Sequence, residues 1–298
     1  MIAIECKEVS KSFGKTKVLD QVNIQLEQGK IYALLGRNGA GKTTLMNCLC
    51  TRYLPDAGEI YLLEEKAYEN EKVLNEICFM SDYMETFSTK KVKDILKFAG
   101  SFYEKWDKDL MKNLMEFFEI SPKVLYDGLS KGQKTVVGII IGLCSGCEIV
   151  LLDEIYSGLD AVARQNFYEI LMKEQEKNPR TFVLSTHLIE EMAGLFEHVV
   201  MIDKGKIILS EEVEIIHEKS YKCVGRAELE GCLSGKNILS KQQMGAMAEY
   251  YIYDELNERE LGELMSKGFT VSALSLQELF LAFTADTTKK WGENSGIA

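Results

Sequence analysis

The sequence predicts an α/β fold built on a mixed central sheet, and two motifs within its 298 residues carry that prediction. The first is a glycine-rich loop at residues 36–43, which follows a short apolar run and precedes a segment of helical character. The second is the run 149–154, in which four aliphatic residues end in two acids, as in a central strand of a parallel sheet. Because ligand sites in such sheets lie beyond the carboxyl ends of the strands, we expect both motifs to share one crevice.

The N-terminal segment, residues 1–30, alternates between apolar and polar side chains, as at Val18, Val22, Ile24 and Leu26. A period of two is typical of a strand that buries one face. We therefore predict an antiparallel sheet at the edge of the core.

The glycine-rich loop matches the pattern G-x-x-x-x-G-K-[ST], in which glycines let backbone N–H groups close around a phosphate. The helix that follows adds oriented N–H groups and a partial positive charge. Lys42 can reach the outer phosphates, and the Thr43 hydroxyl can ligate Mg²⁺. The alternative is a glycine-rich turn with a chance lysine, which the flanking strand and helix disfavour. The predicted nucleotide-binding residues of the loop are Gly36, Arg37, Asn38, Gly39, Ala40, Gly41, Lys42, Thr43 and Thr44.

Residues 85–128 differ in character from the segments on either side. Apolar residues recur there at helical spacing, which predicts two amphipathic helices. Thr89 and Asp107 are suitable N-caps for these helices. The apolar positions are Val92, Ile95, Leu96, Ala99 and Phe102 in the first helix and Leu110, Leu114, Phe117 and Phe118 in the second.

Two acids, Asp153 and Glu154, end the aliphatic strand. Asp153 is the predicted outer ligand that holds the water shell of Mg²⁺. Glu154 is placed to polarise an attacking water as general base. The alternative is a strand end with two solvated acids, which is common when no phosphate loop accompanies it.

The segment Leu129, Ser130, Lys131, Gly132 and Gln133 lies between these two motifs, and with it the chain resembles the ABC ATPases. The signature of that family is L-S-G-G-Q, and its position between the phosphate loop and the acidic strand end makes the resemblance specific. The D-loop of the family resembles residues 157–160, which end in Asp160, and its switch-histidine motif resembles residues 185–187. Phe13 lies where the family stacks an aromatic ring on adenine. The resemblance covers residues 1–210, approximately.

The resemblance implies a P-loop NTPase fold of the ABC type, with a mixed central sheet, an edge antiparallel β-subdomain and a helical subdomain that carries the signature. It also implies that residues 129–133 contact nucleotide bound by a second subunit, so that two chains sandwich two ATP molecules head to tail. His187 would sense the γ-phosphate. A structural role for this histidine, and simple packing for Phe13, are the alternatives.

Three positions depart from the family pattern. Lys131 replaces the first glycine of the signature, and Ile155 replaces a common proline, which should change loop stiffness rather than chemistry. Asp82 occupies the place of a glutamine. An aspartate there keeps an oxygen that can sense Mg²⁺ or its water, but it adds charge and has a shorter reach.

These motifs predict an ABC ATPase domain at residues 1–217, with the helical subdomain at about 85–133, and a C-terminal accessory α+β region at 218–298. The first domain should end in a hairpin that turns at residues 203–206. In the accessory region, alternation over residues 249–253 predicts a strand, and residues 275–278 form a capping box for a short helix. We expect the last ten residues to be disordered.

The composition of the chain limits the partners and the compartment that we expect for it. The net charge of −11 argues against nucleic acid. The longest apolar run, residues 136–147, is shorter than the ~18 residues that span a bilayer, and the first residues lack the pattern of a secretory signal. Eight scattered cysteines suit a reducing compartment, and Cys144 and Cys147 are predicted to be buried thiols rather than a metal or redox pair.

Our first hypothesis is the ATP-binding and hydrolysing subunit of a membrane transporter, a bacterial exporter. It would work at the cytoplasmic face of the cell membrane with ATP and Mg²⁺, a separate transmembrane permease subunit and a second ABC ATPase subunit, identical or different. The alternative is a non-transport ABC ATPase that acts as a mechanoenzyme or signalling switch on a soluble partner. A P-loop kinase is disfavoured by the signature.

Overall fold

The computed structural model describes residues 1–81 and 89–285. The strands are β1 (Ile2–Phe13), β2 (Thr16–Glu27), β3 (Ile31–Leu35), β4 (Ala57–Leu62), β5 (Glu65–Lys66), β6 (Ile77–Ser81), β7 (Ile149–Asp153), β8 (Thr181–Thr186), β9 (His198–Asp203), β10 (Lys206–Glu212), β11 (Ser220–Arg226), β12 (Ile238–Met244), β13 (Met247–Tyr253) and β14 (Thr270–Ala273). The α-helices are α1 (Lys42–Leu49), α2 (Glu71–Leu74), α3 (Val92–Ala99), α4 (Lys108–Phe117), α5 (Lys131–Cys144), α6 (Ala161–Lys177), α7 (Ile189–Met192), α8 (Val213–Lys219), α9 (Glu258–Ser266) and α10 (Leu276–Phe283).

These elements form two compact units. The first comprises Met1–Leu188 and Gly194–Ser210, and the second comprises Ile189–Ala193 and the chain from Glu211 onward. The assignment of residues 1–217 and 218–298 as an ATPase domain and an accessory domain stays a prediction.

A six-stranded mixed sheet lies at the centre of the first unit, in the order β10-β9-β3-β8-β7-β6. Strands β9, β3, β8, β7 and β6 pair in parallel. Lys204 and Gly205 join β9 to β10 with φ values of +48° and +79°, the backbone that a two-residue hairpin turn of the primed type requires. The predicted α/β fold with a mixed sheet and a hairpin at residues 203–206 is confirmed.

The parallel strands of this sheet are buried because one face shares its core with β1, β2 and α1, and α5 packs against β6 and β7. All five residues of β7 are buried, as are all five of β3. Burial of one aliphatic side chain stabilises the fold by about 1.5–3 kcal/mol, so strands of this composition anchor the sheet. Their carboxyl ends are held at one edge, which is where the two sequence motifs end.

A four-stranded antiparallel sheet in the order β2-β1-β4-β5 forms the second layer of the first unit. Val22, Ile24 and Leu26 are buried along β2, and their neighbours are exposed. The alternation seen in the sequence therefore marks one face packed on the core, and the predicted antiparallel sheet is confirmed.

Asp107 caps the second helix of the helical segment, as predicted. Its carboxylate accepts hydrogen bonds from the backbone N–H groups of Asp109 and Leu110, at 3.0 Å and 2.8 Å. Capping of this kind is worth about 1 kcal/mol because it satisfies N–H groups that the helix itself leaves open.

The prediction that Thr89 caps the first helix is wrong. Helix α3 begins at Val92, and the residue before it, Lys91, makes no side-chain cap. The backbone N–H of Val92 donates instead to the carbonyl of Val124, at 3.0 Å. A neighbouring segment therefore satisfies the start of the helix, which sequence-local capping rules cannot anticipate.

The apolar run that begins at residue 136 lies in helix α5, which starts directly after Ser130. Ser130 and Gln133 form a reciprocal capping box: Ser130 Oγ accepts from the Gln133 N–H at 3.2 Å, and Gln133 Oε1 accepts from the Ser130 N–H at 3.0 Å. All residues of this helix from Thr135 to Cys144 are buried. The buried apolar body anchors α5 in the first unit, and the signature segment therefore lies at the exposed N-terminus of this helix.

The eight cysteines are free, and six of them are buried. Burial raises the pKa of the Cys147 thiol to about 12 and raises the pKa of the Cys144 thiol as well. Both observations fit the predicted inert thiols. Within the described residues no group of three or more His, Cys, Asp or Glu side chains could hold a metal ion.

The second unit contains an antiparallel sheet in the order β12-β13-β11-β14. Tyr250 and Ile252 of β13 are fully buried in its core. Helix α10 opens with the predicted capping box between Ser275 and Glu278. Both secondary-structure predictions for this region are confirmed, whereas the expectation for the last ten residues lies outside the described residues.

No helix in the described part of the chain is long and apolar enough to cross a membrane.

Candidate functional site

The glycine-rich loop connects β3 to α1, as the motif requires. Gly41 has a φ of +114°, in the left-handed region that side chains disfavour. A Cβ on Gly36 would lie 2.6 Å from the carbonyl oxygen of Ile202 in β9. Glycine is therefore needed at one position for backbone conformation and at the other for the close approach of a neighbouring strand.

Lys42 is the first residue of α1, and only 6% of its surface is exposed. Its Nζ donates a hydrogen bond to the Gly36 carbonyl at 2.7 Å, across the loop. The same Nζ lies 3.4 Å from Oε1 of Glu154. The ammonium group is thus held inside the curve of the loop, where a phosphate would meet it.

Asp153 ends β7 and is buried, with 6% of its surface exposed. Its two carboxylate oxygens accept hydrogen bonds from the hydroxyl groups of Thr43 and Ser185, each at 2.6 Å. Ser185 lies directly opposite Asp153 in the parallel pairing of β7 with β8. Ser185 was not among the predicted site residues, although it belongs to the motif that ends in His187.

Glu154 follows the strand with a φ of +50°, a left-handed conformation that is uncommon outside glycine. Its backbone N–H donates to the Ser185 carbonyl at 3.2 Å. Its Oε2 lies 3.2 Å from Nδ1 of His187, so the carboxylate stands between Lys42 and His187. The backbone turn directs the side chain into the crevice rather than along the strand.

Tyr156 supports this turn from below. It is fully buried, and its hydroxyl donates to the same Ser185 carbonyl that accepts from Glu154. Burial raises the pKa of the phenol well above its ordinary value, which keeps the donor proton in place. No sequence signal identified this residue, because its role depends on a contact across the sheet.

A cavity of about 340 Å³ opens above the phosphate loop. It combines backbone N–H groups, one lysine and one carboxylate, a set suited to bind and hydrolyse a phosphate chain. Val18 of β2 lines it and was not predicted, because it comes from the neighbouring antiparallel sheet. The full lining is Val18, Arg37, Asn38, Gly39, Gly41, Lys42, Thr43, Thr44 and Glu154.

Ala40, Leu129 and Phe13 are predicted site residues that do not line this cavity. Ala40 is buried and its carbonyl accepts from the Gly205 N–H at 3.0 Å, which ties the loop to the β9–β10 hairpin. Phe13 ends β1 with 46% of its surface exposed, and its ring makes a T-shaped contact with the Tyr53 ring, with 5.4 Å between the ring centroids. Its predicted contact with adenine stays a prediction.

The signature residues form and cap the N-terminus of α5. Because Ser130 Oγ accepts from a backbone N–H, its own proton remains available to a further acceptor. A Cβ on Gly132 would lie 3.0 Å from the Gly158 carbonyl, so the helix start packs on the 3₁₀ turn Ile155–Gly158. Lys131 and Gln133 are exposed beside Ser130. The segment presents an exposed helix start that does not line the phosphate-loop cavity.

Asp160 is the N-cap of α6, and its carboxylate accepts from the Ala163 N–H at 2.8 Å. This structural use does not test its predicted role in the D-loop. Asp82 lies outside the described residues.

A Mg²⁺ ion fits the residues that are present. The Thr43 hydroxyl and the Asp153 carboxylate lie in contact at the mouth of the phosphate loop. Oxygen donors of this kind, few in number and beside a phosphate site, are what Mg²⁺ uses in nucleotide-binding proteins.

Known proteins with similar sequences point to the same kind of nucleotide-binding site. The family model described as ABC transporter matches residues 19–157. An uncharacterized ABC transporter ATP-binding protein of Methanocaldococcus jannaschii, MJ1023, is 32% identical over 72% of this chain and 80% of its own length. The bacitracin transport ATP-binding protein BcrA of Bacillus licheniformis is 27% identical over 96% of this chain and 92% of its own.

A solved structure described as the ATP binding subunit of an ABC transporter has the same fold. It superposes with a TM-score of 0.65 at 21% identity, over 72% of this chain and 92% of that one. At this level of identity the likeness concerns the fold.

Proposed function

The chain belongs to the ABC transporter ATP-binding proteins, an ATPase family, and we propose that it dimerises around ATP to drive export through a separate membrane subunit. The observation that carries this proposal is the convergence of Lys42, Asp153, Glu154 and His187 at the carboxyl ends of β3, β7 and β8. A nucleotide-binding role alone would need the loop and the lysine. The Glu154 carboxylate, which lies between the Lys42 ammonium group and the His187 ring, adds the means of hydrolysis.

In the proposed reaction, Lys42 and the loop N–H groups bind the outer phosphates, and Glu154 draws a proton from the attacking water. Phosphate competes with Glu154 for the Lys42 ammonium group, since a single Nζ faces both. ATP binding therefore frees the carboxylate for its role as a base. His187, 3.2 Å from the same carboxylate, orients it and meets the γ-phosphate.

Thr43 and Asp153 would hold Mg²⁺, and the ion would supply neutralisation of charge on the phosphates. Ser185 keeps Asp153 oriented by its hydrogen bond of 2.6 Å. Ser185 occupies one carboxylate oxygen of Asp153, and the other carboxylate oxygen faces Thr43.

The position of the signature segment, residues 129–133, is the reason why we propose a dimer. Ser130 and Gln133 are exposed at a helix start, with the half-buried Gly132 between them, and such a start can bind an anion. The segment lies outside the lining of the phosphate cavity in its own chain. We infer that it contacts the γ-phosphate of ATP held by a second subunit. The composite site would exist only while ATP bridges the two chains.

The proposed membrane partner is supported by relatives that are named transport proteins, and export remains our own expectation. BcrA is named a bacitracin transport ATP-binding protein, and its match extends over 96% of this chain, so it includes the second unit. A shared second unit favours a shared type of transporter. We infer attachment to the cytoplasmic face of the membrane through a permease, with bacitracin as the first substrate to test for export.

The experiment is purification of a tagged Glu154→Gln chain from its native cells, with membranes solubilised in the presence of ATP. We expect a polytopic membrane protein in stoichiometric amount by mass spectrometry. The Lys42→Ala chain is the matched control, because it should fail to form the ATP-bound dimer. A soluble partner in stoichiometric amount would replace the transporter proposal with the mechanoenzyme or signalling alternative.

A further inference from the structure

A cavity of about 700 Å³ lies between α3 and α4 in the first unit, apart from the phosphate loop. Its two walls have the same pattern, in which lysines alternate with apolar or small residues at positions i, i+3, i+4 and i+7. This spacing places all four residues of each helix on one face. The wall residues are Lys93, Leu96 and Lys97 from α3, Gly100 directly after α3, and Lys108, Met111, Lys112 and Met115 from α4.

The floor of this lysine groove, defined by the wall residues above, is apolar. Leu96 and Ile120 are buried in it, and Met111 and Trp106 are half-buried. A Cβ on Gly100 would lie 3.0 Å from ring atoms of Trp106, so glycine allows the indole to close one end. Cavities of roughly 300–1,000 Å³ with apolar linings are typical of small-molecule sites.

The rim is cationic. Four lysines line the groove against one carboxylate, Glu116. Lys112 meets Asp109 at 3.5 Å in an exposed pair, which is worth little in water. Within residues 1–81 and 89–285 no ion pair engages Lys93 or Lys97. This excess of positive charge is local, since the whole chain carries −11.

We propose that the lysine groove binds an anionic amphiphile, a molecule with an acyl chain and a phosphate or carboxylate head group. The acyl chain would lie on the floor formed by Leu96, Met111 and Ile120, and the head group would meet lysines from both walls. Burial of the chain removes apolar surface from water, and the lysines select the anion. A neutral amphiphile would gain only the first contribution.

The size of the groove favours such a ligand over a docked helix. Each wall spans eight residues, Lys93 to Gly100 or Lys108 to Met115. That is about two helical turns or ~10 Å, whereas an average helix has about three turns. A short channel with cations on both banks matches a compact ligand with one charged end.

The test uses Trp106 as a reporter, because the chain has two tryptophans and the other is Trp291. In the full-length Trp291→Phe protein, tryptophan emission comes from the groove alone. We expect monomeric dodecyl phosphate to change this emission saturably. Dodecyl maltoside, which has the same chain and a neutral head, should bind at least about tenfold more weakly.

Variants of the lysines separate specific binding from adsorption. Lys97→Gln with Lys112→Gln, one lysine from each wall, should weaken dodecyl phosphate binding about tenfold or more. Lys66→Gln with Lys177→Gln removes the same charge from exposed positions outside the groove and should leave binding unchanged. Lys97→Arg with Lys112→Arg should preserve binding, and unfolding curves verify that each variant is folded.

Two supporting outcomes distinguish the source of the ligand. Recruitment to phosphatidylglycerol vesicles that the glutamine pair abolishes would identify a membrane lipid, whereas binding of the monomeric anion without recruitment would identify a free ligand. The proposal is overturned by the absence of a saturable response, or by equal affinity for dodecyl phosphate and dodecyl maltoside. It is also overturned if only an acidic amphipathic peptide changes the Trp106 emission, since the groove would then be a helix-docking surface.

Discussion

The Thr43 hydroxyl donates a hydrogen bond of 2.6 Å to the Asp153 carboxylate, although 110 residues separate them in the chain. The contact joins the first residues of α1 to the end of β7. It brings the two sequence motifs together at the edge of the central sheet where the phosphate loop opens. The candidate site depends on this junction, because the loop supplies the phosphate contacts and Thr43, whereas the acidic strand end supplies Asp153 and Glu154.

Replacement of Lys42 by alanine should weaken ATP binding by about a hundredfold. The buried ammonium group supplies the main counter-charge to the outer phosphates, and a charge-assisted hydrogen bond in such a place is worth about 2–3 kcal/mol. Equilibrium binding of a fluorescent ATP analogue measures the loss. Lys15→Ala, at an exposed turn, is the matched control and should bind normally. An unchanged affinity in the Lys42 variant would remove the loop from the nucleotide site.

Replacement of Glu154 by glutamine should abolish turnover while ATP binding persists. The amide keeps the shape of the side chain but cannot take a proton, and loss of a general base costs about 10²–10⁴-fold in rate. We expect an ATP-bound dimer to accumulate, which light scattering after gel filtration detects. Glu176→Gln, an exposed substitution of the same kind, should hydrolyse ATP at the wild-type rate. Normal hydrolysis by the Glu154 variant would require another base.

An arginine at position 130 should spare ATP binding and block dimerisation. Ser130 is exposed at the start of α5, where a long cation would fill the space meant for phosphate. The loss of the capping hydroxyl should also lower the free energy of unfolding by about 1 kcal/mol. The test combines the Ser130→Arg and Glu154→Gln changes and measures dimer formation with ATP. Lys131→Arg is the control, since it keeps the positive charge beside the cap. If the Ser130→Arg monomer binds ATP more weakly, Ser130 contacts the nucleotide of its own chain.

Stability should fall in alkaline solution through the buried thiols. Desolvation raises the pKa of Cys147 from its ordinary value of 9.0 to about 12. The folded protein therefore keeps this proton after the unfolded chain has lost it. The stabilising effect of burying the neutral thiol is complete below pH 9 and decreases as the pH rises towards 12, by at most about 1.4 kcal/mol per pH unit.

Urea unfolding at about pH 8 and about pH 10 measures this dependence. The wild-type protein should lose roughly 1 kcal/mol more between the two pH values than the Cys147→Ala protein loses. Cys232→Ala, which removes a half-buried thiol, serves as the control. Equal losses in the wild-type and Cys147→Ala proteins would show that this thiol does not contribute.

Much of the fold could be predicted because periodicity and capping are local. The alternation along β2, the capping box at Ser130 and the capping box at Ser275 each appear in a few consecutive residues. Thr89 shows the limit of such rules. Its sequence context suits a cap, yet the N–H of Val92 donates to a carbonyl 32 residues away, that of Val124.

The candidate site was only partly predictable. Lys42, Asp153 and Glu154 were identified because they end or follow elements with strong patterns. Ser185 and Tyr156 were missed because their importance lies in hydrogen bonds to a neighbouring strand. Their positions follow from the register of β7 against β8, and sequence patterns contain no register between parallel strands.

The sequence by itself determined which residues of this protein can do chemistry with phosphate, since the loop glycines, Lys42 and the acidic strand end are set by local pattern. The tertiary structure alone decided that Glu154 stands between Lys42 and His187, and that lysines of α3 and α4 face one groove. The physical reason is the range of the interactions. Propensity and periodicity act within a few residues, whereas ion pairs and cavities depend on the order and packing of elements far apart in the chain.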